Sequence, residues 1–211
     1  MKKIALFGAT GQTGQQFLTK ALVNGYQVRA LVRDVSKVNQ QSKNLTIIQG
    51  DVLNYNEVLS ALTDCDIVVS LFGHVKDSPE WLQTNGTKNI IAAMKQLGIK
   101  KIISLSGGGL PFPEKDEPKF IDKTIRFVMK IIVPKVLNDA VEHHKVLVNS
   151  NQDWLIVRGA RLVNKPSNGN YRVGWVGVNA GTETSREDLA SFIENQINND
   201  QFLYQMPFVS S

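Results

Sequence analysis

Apolar and polar positions alternate between two periods along the chain. Nearly continuous apolar runs of four to six residues stand at 4–7, 27–32, 45–49, 67–71, 101–106 and 154–157. They lack strict alternation, as strands do when both faces of their sheet are covered. Between them the apolar residues recur every three or four positions, the period of a helix with one buried stripe. Such stretches run over 15–22, 57–62, 121–133 and 136–148, the last two separated by Pro134. A longer one is predicted from Ser78-Pro79, an N-cap followed by proline at the first helical position, through Trp81, Leu82, Ile90, Ile91, Met94 and Leu97 to Gly98. Tyr171-Arg172-Val173 reads as a short later strand, and Ser185-Arg186-Glu187-Asp188 as a capping-box variant opening the last helix. This regular alternation predicts an α/β fold, a doubly wound parallel sheet with helices on both faces, in a single domain over 1–211. Segments 106–134 and 159–184 are expected to cover a substrate.

The first strand runs directly into Gly8-Ala9-Thr10-Gly11-Gln12-Thr13-Gly14 and then into a helix. A turn this sharp needs residues without a Cβ where the backbone leaves the strand, where a ligand comes close and where the helix packs back on the sheet. Gly8, Gly11 and Gly14 fit those places. The free N–H groups of the following helical turn favour an anion, and a pyrophosphate fits. Thr10, Gln12 and Thr13 belong to the same cradle. Together these features give a Rossmann-type nucleotide-binding unit, whose ligand sits beyond the carboxyl ends of the strands.

Composition narrows the rest. A chain of 211 residues suits one domain. Cys65 is the sole cysteine, which excludes an intramolecular disulfide, and no early apolar run has the charge and cleavage pattern of a signal peptide, so a cytoplasmic setting is expected. No apolar stretch reaches the length of a membrane span, and no membrane association is expected. The formal net charge is +5, but lysine and arginine are scattered among acids over the chain, so nucleic acid is not expected as a partner either. His74, His143 and His144 lack metal-ligand spacing, so no metal site is expected.

The remaining candidates follow the strands. Arg33-Asp34 stands about twenty residues after Gly14, where this fold contacts the adenosine ribose. A carboxylate there suits NAD and a guanidinium suits the 2′-phosphate of NADP; Arg33 comes first after the apolar run, favouring NADP(H) over NAD(H). Asp51-Val52 can serve the adenine, with Asp51 as a plain helix cap the alternative. Leu71, Phe72 and Gly73 follow the fourth strand, where the chain passes the cofactor, although Phe72 also suits the core. Ser104, Leu105 and Ser106 end the fifth strand beside the cofactor; the two serines share a face, a hydroxyl there can reach the nicotinamide ribose or a substrate, and Ser106 is the catalytic candidate of the two, with hydrogen bonding to local backbone the alternative.

These residues, with Asn85-Gly86-Thr87-Lys88-Asn89-Ile90, His144-Lys145-Val146-Leu147 and Val157-Arg158, resemble the NAD(P)H-binding, NmrA-like branch of the atypical short-chain dehydrogenases. Within it the chain is most similar to the biliverdin-IXβ reductases, also known as flavin reductases, and the likeness covers essentially the whole length. The resemblance implies NADPH binding and hydride transfer to a small-molecule acceptor, a flavin or a linear tetrapyrrole. The short-chain dehydrogenase acid pair Tyr-x-x-x-Lys is absent, with Val136 and Ala140 at its positions. The reductases' serine after the fifth strand falls on Gly107 and their histidine after the sixth on Arg161. Arg161 and Arg158 can stabilise charge developing on an acceptor, with a salt bridge beneath the site the alternative for Arg158. The rival expectation is a non-catalytic NADP(H)-binding redox sensor acting through a protein partner.

Overall fold

The computed structural model describes residues 2–167 and 169–211. Strand β1 (Lys3–Phe7) leads through the glycine turn into helix α1 (Gln12–Val23), and β2 (Gln27–Val32) and β3 (Leu45–Gln49) follow. Helix α2 (Tyr55–Leu62) then precedes β4 (Ile67–Ser70), α3 (Leu82–Leu97) precedes β5 (Lys101–Gly107), and α4 (Phe120–Ile132) and α5 (Pro134–Val148) precede β6 (Asp153–Gly159). Short strands β7 (Arg161–Val163), β8 (Arg172–Gly174) and β9 (Glu183–Ser185), helix α6 (Arg186–Asn195) and strand β10 (Phe208–Ser210) complete the chain.

Eight strands form one sheet in the order β3-β2-β1-β4-β5-β6-β10-β8, with every pairing parallel except β10 against β8. Strands β7 and β9 make a separate parallel pair. The doubly wound fold is therefore as the periodicity predicts. Alternate residues of the central strands feed two cores. Ile4, Leu6, Val69 and Ile103 pack with Phe17 and Leu18 of α1 and Leu189 and Ile193 of α6. Ala5, Phe7, Val68 and Ile102 pack on the other face with α2, α3 and α5. Covering both faces is why these strands carry no polar alternation.

Two predicted helix starts are corrected. Helix α3 begins at Leu82, after Trp81 in left-handed backbone (φ 62°), and not at Ser78-Pro79. The Ser78 hydroxyl instead accepts from Val75 N (2.9 Å), closing a turn of its own. Ser185 holds the N-cap position of α6, but its hydroxyl donates to Lys165 O (2.7 Å) and caps nothing. The acids of that first turn are engaged elsewhere: Glu187 accepts from Ser167 N, and Asp188 from the hydroxyls of Ser167 and Ser211.

Candidate functional site

Strand order reverses between β1 and β4, so the crevice beyond their carboxyl ends is where a nucleotide settles in this fold. Gly8 leaves β1 with φ +83°, and a Cβ there would stand 2.5 Å from Phe72 N and 2.6 Å from Leu71 C. The glycine turn and the segment after β4 are thus in backbone contact. A Cβ at Gly14 would lie 2.0 Å from Gly8 O, so only glycine lets α1 fold back this closely. Gly11 N donates to Gly8 O (3.1 Å) and Gln15 Nε2 to Thr10 O (3.1 Å), which fixes the turn. Helix α1 has no side-chain cap and no acid in its first turn, and Thr13 and Gly14 are buried beneath it while Gly11 and Gln12 are exposed. Such an opening offers backbone N–H groups and the positive end of the helix dipole to an anion.

At the end of β2 the two candidate residues differ in what they already hold. Asp34 caps the short turn after it, accepting from Ser36 N (3.0 Å) and the Ser36 hydroxyl (2.6 Å), and these bonds hold its carboxyl below the usual range. Arg33 is exposed and makes no hydrogen bond or ion pair among the described residues. After β3, the Asp51 carboxylate accepts from Leu53 N (2.9 Å) in a local turn, and the cap of α2 is Asn54, so Asp51 is not the helix cap. Val52 and Phe72 both pack on Gly86 of α3, where a Cβ would meet Phe72 Cζ at 2.8 Å and the Val52 methyls at 3.0 Å. The chain's path past Gly73 is held by Gln83, whose side-chain amide donates to Phe72 O and Leu105 O (3.3 Å each) and so ties the ends of β4 and β5 together.

The two serines at the end of β5 part company. Ser104 is buried and its hydroxyl sits 3.1 Å from His143 Nε2, while His143 Nδ1 is 2.9 Å from the Thr87 hydroxyl. That hydroxyl is committed to the core, which corrects its assignment to the cofactor. Ser106 Oγ is buried with no hydrogen-bond partner among the described residues. Beside it, a Cβ at Gly107 would meet nothing within 4 Å, so the space over the strand end is open. Arg158 is fully buried: it forms a bidentate pair with Asp116 (2.7 Å for each bond) and donates to Met206 O and Leu110 O (2.8 Å each). The guanidinium thus holds the 107–118 loop onto the sheet. It takes the salt-bridge alternative and is corrected as a catalytic candidate. Arg161 is exposed on β7 and ion-paired with Glu183, whose carboxyl is held low by hydrogen bonds from Lys165 and Arg161.

The sequence reading did not join four further side chains. Asp139 of α5 is wholly buried, and its carboxylate accepts from Gln83 N (2.8 Å), Thr84 N (2.9 Å), the Thr84 hydroxyl (2.5 Å) and His74 Nε2 (2.6 Å). Burial acts to raise its pKa, but the bonds from Thr84, Gln83 and His74 outweigh it and keep the group ionised. Asp139 is therefore the N-terminal cap of α3, supplied from another helix. One turn on, His143 is neutral, burial pushing its pKa down to about 4. The available signal was a pair of polar residues four apart on α5 and two threonines, Thr84 and Thr87, three apart on α3, each pair on a single helix face.

An open concavity of about 710 Å³ is lined by Lys2, Asn24, Tyr26, Asp66 and Asn198 at the amino ends of the strands. It shares no residue with the strand-end set, and the switch point and helix opening place the site at the other end of the sheet. No cluster of histidine, cysteine and acidic residues suited to a metal occurs among the described residues.

Comparison with known proteins gives the family and the fold. The profile of the family described as NAD(P)H-binding matches residues 8–200. An uncharacterized chloroplastic protein of Arabidopsis thaliana is 26% identical over 181 residues, covering 80% of this chain and 62% of the relative. Cinnamoyl-CoA reductase 1 of Petunia hybrida is 26% identical over 134 residues, covering 57% of this chain and 40% of the relative. The chain thus spans less than two thirds of the length of these curated relatives. Among solved structures, a short-chain dehydrogenase/reductase from Veillonella parvula in complex with NADP superposes with TM-score 0.78 at 20% identity, covering 100% of this chain and 94% of that one. ChuY, an anaerobillin reductase from Escherichia coli O157:H7, superposes with TM-score 0.77 at 18% identity, covering 100% and 97%. These likenesses show the fold.

Proposed function

Because the chain belongs to the NAD(P)H-binding family, we propose that it is an NADPH-dependent reductase that passes hydride to an electron-poor conjugated acceptor, a flavin or a compound of similar character. The observation that carries this reading is the uncapped opening of α1 at the switch point, together with a buried Ser106 hydroxyl at the same end of the sheet that has no partner among the described residues. A buried hydroxyl left unpaired is costly, and a ligand that bonds it removes the cost.

In this reading the backbone N–H groups at 12–14 hold the pyrophosphate, the Gly11 N–H being spent on Gly8 O, and Val52 packs on the adenine beside Asp51. Arg33 takes the 2′-phosphate through charge-assisted bonds, which Asp34, spent on its own turn, neither contests nor replaces with a ribose contact. The nicotinamide supplies the hydride when bound. Ser106 orients the ribose or the acceptor, and the open space at Gly107 admits a flat ring system. No tyrosine acid is required, because an acceptor that is already electron-poor needs orientation more than protonation, and solvent supplies the proton. Arg161, exposed on β7 just after β6 and ion-paired with Glu183, is the cation assigned to meet negative charge on the acceptor. The reductase named among the structural relatives and the NADP complex of another support the same assignment.

The test is loss of NADPH absorbance with FMN, riboflavin or biliverdin as acceptor. Acceptor-dependent turnover is expected; tight NADPH binding without turnover on any of them overturns the reductase reading. In the same assay Arg33→Ala should weaken NADPH binding by about 1.5–3 kcal/mol and leave NADH binding nearly unchanged. Equal losses for both cofactors would remove the 2′-phosphate from the proposal.

A further inference from the structure

Helix α4 is turned inside out. Its sequence places Phe120, Thr124, Phe127 and Ile131 on one stripe and Ile121, Ile125, Val128 and Ile132 on the next, with Asp122, Arg126 and Lys130 opposite. In an ordinary surface helix the apolar stripes would face the core. Here no residue of α4 is buried, and Phe120 (86%), Ile132 (71%), Ile131 (65%) and Phe127 (63%) are the most exposed of its apolar side chains. The half-buried residues are Asp122, Arg126 and Met129, so the side that meets the body is the polar one with a single methionine. Met129 packs by Gly109, where a Cβ would come within 3.0 Å of its Cε, which sets α4 close to the end of β5.

An apolar face this wide on a folded chain marks an interaction surface, and the charges around it discriminate between occupants. Positions 119–135 hold Lys119, Lys123, Arg126, Lys130 and Lys135 against the lone acid Asp122, so this segment carries most of the chain's formal +5. The carboxylate of Asp122 is occupied in accepting from Lys119 N (2.9 Å) at the start of the helix. Lys123 and Lys130, seven apart and both exposed, flank the Phe120 and Phe127 stripe. A second copy of this face would bring lysines against lysines with no free acid to answer them. An anionic lipid surface answers the exposed Lys123 and Lys130, since long lysine side chains reach headgroup phosphates while the apolar stripes sit at the acyl boundary; Arg126 faces the body and Lys135 is paired with Glu80 (3.7 Å).

We propose that α4 lies in the plane of an anionic membrane surface and docks the protein there by its outward apolar face. No helix among the described residues is long and apolar enough to cross a membrane, and α4 has 13 residues against the about 20 that a span needs. That excludes spanning, and it is the absence of a span that made membrane association unexpected from the sequence. A helix lying in the interface needs no such length.

The full-length protein is tested by co-sedimentation with vesicles of pure phosphatidylglycerol and of pure phosphatidylcholine. Binding to the first and not the second, weakened by salt, is expected. Lys123→Gln and Lys130→Gln should each lower partitioning by about fivefold, from roughly the cost of one basic residue near an anionic surface. The double variant Phe127→Glu/Ile131→Glu should abolish it while NADPH binding is retained, which separates the lipid surface from the nucleotide site. Absence of binding to phosphatidylglycerol, or equal binding by the double variant, overturns the proposal. So does a wild-type dimer in sedimentation equilibrium that the double variant dissolves, because a second copy would then cover the face.

Discussion

Helices α4 and α5 are consecutive, separated by Val133, and they reverse the usual relation between residue type and burial. Helix α5 buries Asp139 and His143 together with Ala140 and Leu147. Helix α4 buries nothing and exposes phenylalanine and isoleucine. Both patterns are amphipathic on paper. The difference lies in what the neighbours offer. Helix α5 packs along α3, whose Thr84 and Thr87 and free amides at Gln83 and Thr84, with Ser104 of β5 and His74, bond the polar atoms it brings inside. Nothing of that kind faces α4. Buried polarity is stable where each donor and acceptor is met, and exposed apolar surface persists where a partner outside the chain removes it from water.

The sharpest way to break this contrast is to make the same kind of truncation in both helices. Leu147→Ala, at a fully buried position of α5, should cost about 2–5 kcal/mol in urea unfolding. A loss below that range would mean that α5 is not packed as described. The buried histidine gives the next effect. Its folded pKa, about 4, lies below the ordinary 6.5, so the unfolded chain takes up the proton first as pH falls. The stability it contributes is complete above 6.5 and is lost progressively between 6.5 and 4, by up to about 3 kcal/mol. His143→Gln should flatten the pH dependence of stability across that window; an unchanged slope would place the titration elsewhere. The smallest effect is expected on α4, where Ile131→Ala should change stability by less than about 0.5 kcal/mol in lipid-free solution. A cost of several kcal/mol there would show the face already covered.

The fold was legible because the central strands β1, β4, β5 and β6 are covered on both faces and so appear as apolar runs, and because Gly8 and Gly14 have no room for a side chain. Strands β7, β9 and β10 were not legible. Each has three residues, too few to show a period, and each is set by a partner far along the chain. At the site, strand alternation puts Ser104 and Ser106 on one face, and the sequence, though it favours Ser106 for chemistry, marks both as cofactor contacts. Only the position of His143 separates the serine used by the core from the one left free. Arg158 shows the same limit. Its charge after a strand suggested chemistry, and its pairing with Asp116 across the 107–118 loop depends on tertiary placement. The face of α4 was legible as a pattern, but its outward orientation was not.

The cap that Asp139 places on α3 also bears on the order in which the chain becomes native. The first turn of α3 is closed by a carboxylate 55 and 56 residues later in sequence, with β5 and α4 between. Closing so long a loop costs chain entropy before any bond repays it. The start of α3 therefore cannot settle as a local event. It locks when α5 docks, and the segment from Phe72 to Trp81 that borders the nucleotide crevice acquires its final shape in that same step.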